Sequence, residues 1–254
     1  MGGGLYADPA VYDILHAPGT AAEVDALERV ERTLAARPPR KSRLWFEPAC
    51  GTGRYLKVAA GRGRRVAGFD RDPAMIRYAT RRPALRTARL FTADLTDFST
   101  GIPEAAADFA FNPVNSLRHL ETDRAMLAHF EQMAAVLKPG ALYVVGISLT
   151  DYGWLEPEED LWEGARGRCR VQQLVNYLPP EPGTKRARRE TVISHLTISR
   201  PRVVEHRDHA YDLRCYDRVQ WRQLVRESAL EHAGCFDGLG RPLDGRTQQY
   251  QLEA

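Results

Sequence analysis

Two carboxylates and the small-residue turn between them carry the first chemical signal in this 254-residue chain. Glu47 ends a short apolar run, Leu44–Phe46, that suits a buried parallel strand, and Pro48-Ala49-Cys50-Gly51-Thr52-Gly53 follows it. Gly51 and Gly53 let a ligand approach the backbone, and glycine adopts turn angles closed to other residues. From Arg54 the spacing of Tyr55, Leu56, Val58, Ala59 and Ala60 predicts a helix, and a helix N-terminus exposes unpaired N–H groups. A second strand, Arg65–Phe69, leads to Asp70; an acid at that place can accept both hydroxyls of a ribose. A dinucleotide fingerprint requires G-x-G-x-x-G, and Leu56 stands at the third glycine position. Glu47 has no place in that fingerprint. A carboxylate there attracts an ammonium or a sulfonium rather than a pyrophosphate.

At these residues the chain resembles the class I S-adenosylmethionine-dependent methyltransferases. Their first motif, E/D-x-x-C-G-T-G, is matched by Glu47–Gly53, and Asp70 sits in FDRDPAMI where the family commonly has an acid followed by S-x-x-M. Thr92-Ala93-Asp94-Leu95 is similar to the family's acidic adenine-contacting motif. Asp108–Asn112 and Leu137–Val145 are similar to its fourth and fifth strands. The resemblance implies S-adenosyl-L-methionine as cofactor and S-adenosyl-L-homocysteine as product. It implies cofactor contacts at Glu47, Ala49, Gly51, Gly53, Asp70, Arg71, Met75, Asp94, Leu95 and Asn112, with Asp70 on the ribose and Met75 on the adenine.

In that family the loop after the fourth strand usually contacts the methyl acceptor. Here it is Phe111–Leu120, FNPVNSLRHL. Asn112-Pro113 begins like the N-P-P-Y motif of DNA and glutamine amide methyltransferases, but Val114 and Asn115 replace its last two residues. A closer resemblance is to the amino-sugar N-methyltransferases of antibiotic biosynthesis, which have an aromatic, two small polar residues and a His-Leu pair in this loop. Asn115–Leu120 matches that pattern loosely, and their N-terminal G-R-G-K-D-Y segment is absent, His16-Ala17-Pro18-Gly19-Thr20 standing instead. His119 takes the position of their base or substrate-orienting residue. An imidazole of ordinary pKa, about 6.5, could take an ammonium proton near neutrality. Tyr6 and Tyr12 are candidate residues of an N-terminal segment that folds over the pocket, and Tyr12 joins His119 as a candidate catalytic residue; both tyrosines would equally pack a helix down. Tyr152, Trp154 and Trp162 suit either an acceptor-pocket wall or plain packing.

The elements that position these residues follow from periodicity. A helical cap, 1–40, contains Ala21–Leu34 with a Thr20/Glu23 capping-box pattern and a Pro38-Pro39 stop. The core, 41–150, alternates strand and helix, which implies a parallel sheet. Its later elements are a helix over Asp72–Arg82, a strand over Thr87–Phe91, a strand over Ala107–Phe111, a helix over Thr122–Leu137 stopped by Pro139-Gly140, and a strand over Leu142–Ser148. Residues 151–216 change to period two over Arg170–Tyr177, Glu190–Ser199 and Arg207–Tyr216, predicting an inserted antiparallel β lid. Residues 217–254 supply an Asp217-capped helix and two last strands, Leu230–Phe236 and Thr247–Leu252. The expected fold is α/β: a Rossmann-like seven-stranded sheet with its last strand antiparallel, plus the lid.

Composition narrows the function classes. A net charge of +3 argues against an extended nucleic-acid surface, and the basic run Lys185–Arg189 reads as a solvated turn. No apolar run approaches the roughly 18 residues of a membrane-spanning helix, and MGGGLYADP is unlike a secretory leader. Four widely spaced cysteines without a C-x-x-C pair predict neither a disulfide framework nor a metal site. His129 falls opposite the apolar face of its helix and is expected in solvent, and the other histidines show no ligand spacing. These readings converge on a cytoplasmic enzyme that methylates N or O of a small molecule, in natural-product or amino-sugar metabolism, without nucleic-acid or membrane partners and with a homodimer role for the lid. The alternative is a non-catalytic relative that binds the cofactor or a protein partner.

Overall fold

Alternating apolar residues in the first strands face two ways, and each face has its own helices. In a computed structural model describing residues 4–34, 43–244 and 249–254, seven strands form one sheet in the order β10-β11-β5-β4-β1-β2-β3. They are β1 (Leu44–Glu47), β2 (Arg65–Asp70), β3 (Arg89–Thr92), β4 (Ala107–Asn112), β5 (Leu137–Ser148), β10 (Cys235–Phe236) and β11 (Tyr250–Glu253). β1 to β5 run parallel, whereas β11 is antiparallel to both of its neighbours, β5 and β10. Trp45 clusters with Phe109, Phe111, Tyr55 and Leu56 beneath helices α2 (Thr20–Leu34), α3 (Arg54–Gly61) and α4 (Pro73–Thr80). Its neighbour Phe46 points the other way, to Phe69, Phe98, Phe130 and Trp221 under α5 (Asp123–Val136) and α6 (Arg218–Glu227). Period two in the strands thus yields two cores.

The chain divides into two compact units. Residues 20–150 and 216–254 form the seven-stranded core; residues 1–19 and 151–215 form the other unit. The segment 1–40, expected as one helical cap, is therefore split at Gly19, a residue with φ of +82°. Helix α2 belongs with the core through Val24, Leu27 and Val30. The Pro38-Pro39 stop, the boundary at 40/41 and the expected strand start at Thr247 lie outside the described residues.

The second unit is an antiparallel meander of β6 (Glu158–Arg166), β7 (Cys169–Leu178), β8 (Arg189–Arg200) and β9 (Val203–Arg214). Helix α1 (Pro9–His16), capped by Asp8, covers part of one face: Leu5, Val11, Ile14 and Leu15 cluster with Val171, Leu196 and Ile198. A Cβ at Gly164 would stand 2.3 Å from the Ile14 carbonyl oxygen, so only glycine lets α1 approach β6 this closely. Buried Asp13 pairs with Arg166 at 2.5 Å across the same contact.

Three elements differ from the sequence expectation. β6 is an additional strand whose residues are nearly all exposed, so it shows no apolar alternation. Helix α5 stops at Val136 and β5 begins at Leu137, before Pro139-Gly140, because proline disfavours helical angles at the residue preceding it. Of the expected strand Leu230–Phe236 only Cys235 and Phe236 pair, against Glu253 and Leu252.

Candidate cofactor site

The strand order reverses between β1 and β4, and in open α/β sheets ligands bind outside the carboxyl ends of strands at such a point. Glu47 ends β1 and Asn112 ends β4. The turn after Glu47 has three residues in the left-handed region: Ala49 at φ +52°, Gly51 at +51° and Gly53 at +67°. Cys50 N–H donates to the Phe69 carbonyl at 2.7 Å, which fastens the turn to β2. Asp70, at the end of β2, accepts from Gly51 N–H at 2.8 Å and from Asp72 N–H at 2.9 Å, so one carboxylate ties the turn to the start of α4. Burial pushes the Asp70 carboxyl up from its ordinary range, and these two backbone donors pull it back.

At the ends of β1 and β4, Glu47 and Asn112 each leave one oxygen unsatisfied. Both are buried, and among the described residues Glu47 Oε2 and Asn112 Oδ1 have no hydrogen-bond partner. The other end of the Asn112 amide donates to the Pro48 carbonyl at 2.8 Å, which fixes its orientation. Burial raises the Glu47 carboxyl well above its ordinary range; Arg54 opposes this, while Asp70 and Glu23 reinforce it. A cationic donor arriving here would ionise Glu47 and satisfy both orphaned oxygens. These two acceptor oxygens suit an ammonium group, the α-ammonium of S-adenosylmethionine being one.

The remaining expected cofactor residues are placed less tightly. Met75 is buried in α4, and Arg71 is exposed. Asp94 is exposed, and both Thr96 N–H and Thr96 Oγ1 donate to it, at 2.9 and 2.8 Å; the backbone bond is the larger influence holding its carboxyl down. Half-buried Leu95 offers its carbonyl to His129 Nδ1 at 2.8 Å. His129 corrects an expectation: it is fully buried, bridges Leu95 to the Tyr143 hydroxyl at 2.8 Å, and burial drives its pKa down to about 4. Its apparently polar helical position is in fact an internal hydrogen-bond site.

The loop after β4 is pinned from β5. Asn115, at φ +55°, accepts from Ser148 N–H at 2.7 Å and donates to Ser148 Oγ at 2.9 Å. A Cβ at Gly146 would stand 2.2 Å from the Pro113 carbonyl oxygen. His119 closes the short 3-10 turn Ser116–His119; the residue keeps solvent-accessible surface, yet protein crowds around it. That crowding first, and then Arg118 and Arg71, lower its pKa to about 4. This differs from the ordinary imidazole assumed from sequence. Tyr12 lies on α1 in the other unit, 4.7 Å from the His16 ring and 5.8 Å from Tyr6.

Sequence reasoning missed Arg54. This buried guanidinium donates to Thr20 Oγ1 at 2.8 Å, Glu23 at 2.5 Å and the Tyr55 hydroxyl at 2.5 Å, joining α2 to the residue after the glycine turn. A charged residue between Gly53 and the apolar Tyr55-Leu56 was the available signal. A second missed cluster brings His232 Nε2 to 3.0 Å from Glu253 Oε2 and to 3.6 Å from Cys235 Sγ, a group with metal-ligating side chains. Arg222 donates to Cys235 Sγ at 3.0 Å and faces His232 Nδ1 at 3.3 Å, so a guanidinium stands where a cation would neutralise Glu253.

Comparison with known proteins relates the chain to methyltransferases. Residues 46–140 match a family model described as a methyltransferase domain. The curated tRNA (guanine-N(7)-)-methyltransferase of Caulobacter sp. (strain K31) is 25% identical over 158 residues, which is 58% of this chain and 70% of that protein. Streptomyces venezuelae DesVI superposes with a TM-score of 0.73 at 18% identity, covering 100% of this chain and 99% of its own. The sugar N-methyltransferase KedS8 from Streptoalloteichus sp ATCC 53650 gives 0.73 at 19% identity, covering 100% and 95%. At such identities the structural likeness speaks for the fold. Residues 46–140 are thus similar to a methyltransferase domain, and the chain shares the fold of these solved structures.

Proposed function

We propose that this protein transfers a methyl group to an amine of a small molecule, an amino sugar being the leading class. The observation that carries the cofactor half of this reading is the pair of buried, unsatisfied oxygens on Glu47 and Asn112 beside the turn that Asp70 holds. The fold shared with a sugar N-methyltransferase supports the acceptor half. S-adenosylmethionine, when bound, supplies an electrophilic methyl group on sulfur. Glu47 and Asn112 receive its ammonium, Asp70 its ribose hydroxyls, and the main chain at Ala49, Gly51 and Gly53 lets it lie close. Met75, Asp94, Leu95 and Arg71 are assigned to the adenosine end.

Displacement in line at a methyl carbon depends chiefly on holding nucleophile and carbon in attack geometry and excluding water. His119, at a pKa of about 4, is neutral at pH 7. Taking a proton from an alkylammonium, whose pKa is about 10, would be strongly uphill. The reading therefore gives His119 an orienting role, as a hydrogen-bond partner of an amine that arrives unprotonated. Turnover then rises with pH along the acceptor's own ionisation, with no inflection near 6.5. Cytoplasmic residence belongs to the same reading, since all four cysteines are free thiols.

Calorimetric titration of wild type and Asp70→Ala with S-adenosylmethionine and S-adenosylhomocysteine tests the cofactor half: both bind wild type, and the variant loses them. A methyl-transfer assay with aminated sugars tests the other half. The likeness to a tRNA methyltransferase favours a second acceptor class. Transfer to tRNA and not to aminated sugars would establish it.

A further inference from the structure

One face of the four-stranded unit carries more aromatic rings than its packing against α1 requires. Leu5, Val11, Ile14 and Leu15 already cover Val171, Leu196 and Ile198. Tyr12 packs against that contact, Tyr177 and Tyr211 pack against a neighbouring cluster of Val175, Val192 and Leu213, and Tyr6, His16 and Trp162 extend the group of rings. Ring centroids are 5.8 Å apart for Tyr6–Tyr12, 6.1 Å for Tyr6–Tyr211 and 6.0 Å for His16–Trp162, with planes tilted by 33°, 67° and 59°. Strand register puts Tyr177, Val192 and Tyr211 in one cross-strand row. Tyr6 and Trp162 keep 41% and 45% of their surface exposed, so the group is not closed as a core would be.

Carboxylates surround the rings. Glu158 lies opposite Tyr177 across β6–β7, Asp160 is two residues along the same face, and Glu190 precedes Val192 on that face by two. Besides burial, the charges of Asp160 and Glu190 push the Tyr177 phenol up to about 12, as a negative local potential must. On this face Arg207 is engaged by Glu205 at 2.6 Å and faces Asp8 at 3.9 Å. Tilted aromatic faces attract cations through their quadrupoles, and nearby carboxylates add to that attraction.

We infer that the Tyr6–Tyr12–Tyr177–Tyr211 cluster with Trp162, flanked by Asp160 and Glu190, is a binding site for a small organic ammonium. It rests on the amine-directed reading above and deepens it, because both an aminated acceptor and its methylated product belong to that ligand class. Methylation enlarges an ammonium and weakens its hydration, which favours ring faces over water.

Choline and its uncharged isostere 3,3-dimethyl-1-butanol are the probes, titrated calorimetrically into the full-length protein at fixed ionic strength. Choline saturates, and the isostere binds at least about tenfold more weakly. Asp160→Asn and Tyr177→Leu each weaken choline several-fold, whereas Tyr177→Phe, which keeps the ring, does not. A circular-dichroism spectrum unchanged from wild type accompanies each variant counted. Equal binding of the two probes, no saturation, or insensitivity to both weakening variants overturns the site. S-adenosylmethionine is titrated in parallel: if it binds while choline does not, the ammonium site alone fails. Binding of choline but not of S-adenosylmethionine retains the site and removes the functional reading beneath it.

Discussion

Glu47 is the residue whose ionisation a cofactor would change most. Its carboxyl holds its proton to higher pH in the folded chain than near its ordinary 4.5, mainly because it is buried. Folding therefore takes up a proton between those two values, and stability falls as pH rises from about 4.5 through the folded pKa. Glu47→Gln removes that contribution. The variant without ligand should melt above wild type at pH 8, with the gap closing below pH 4.5, as thermal denaturation across pH would record. The same substitution takes away a charged hydrogen-bond partner worth about 1.5–3 kcal/mol, so affinity for S-adenosylmethionine falls roughly 10- to 150-fold. Ala49 offers an independent check on the turn. Its φ of +52° costs an L-residue about 1–2 kcal/mol, while the greater unfolded freedom of glycine takes back about 0.4–1 kcal/mol. Ala49→Gly is expected to stabilise the fold by a modest amount, about 0.5–1 kcal/mol, read as a higher urea midpoint.

At the scale of elements, the approach of the β4 loop to β5 is the contact with least room. A Cβ on Gly146 meets the Pro113 carbonyl at 2.2 Å, a backbone atom that cannot rotate aside. Gly146→Ala should cost about 1–3 kcal/mol and loosen the Asn115–Ser148 bonds, visible as faster amide exchange over 114–120. Nothing in the sequence singles out Gly146, because its partner lies 33 residues away in the chain. The same holds for Arg54, whose partners Thr20 and Glu23 are 34 and 31 positions distant. What could be read directly was local: the strand–turn–helix around Glu47–Gly53, Asp70 at the next strand end, and the alternation of β7, β8 and β9. β6 escaped because water covers nearly all of it, so no apolar period marks it. His129 was misjudged for the converse reason: its two partners, Leu95 and Tyr143, turn a polar side chain into a core residue. Type and spacing also gave no hint that the surroundings of His119 lower its pKa to about 4.

Across the whole molecule, the second unit is built from two distant stretches, 1–19 and 151–215, so its stability depends on a contact that ordinary chain order would not suggest. Four apolar residues from the first stretch, Leu5, Val11, Ile14 and Leu15, cover Val171, Leu196 and Ile198 on the sheet. At about 1.5–3 kcal/mol for each buried side chain, their removal withdraws as much free energy as a typical domain's net stability, about 5–15 kcal/mol. Within the core, by contrast, α2 begins at Thr20 and is held by Arg54 and by the cluster of Val24, Leu27 and Val30. A chain lacking residues 1–18 is therefore expected to lose order in one unit only. Amides of β7 and β8 should exchange freely and a hydrophobic dye should bind, while β1, β4 and β5 keep their protection. Uniform loss of protection across both sheets would mean instead that the two units fold as one cooperative body, and the division at Gly19 and Thr150 would carry no energetic meaning.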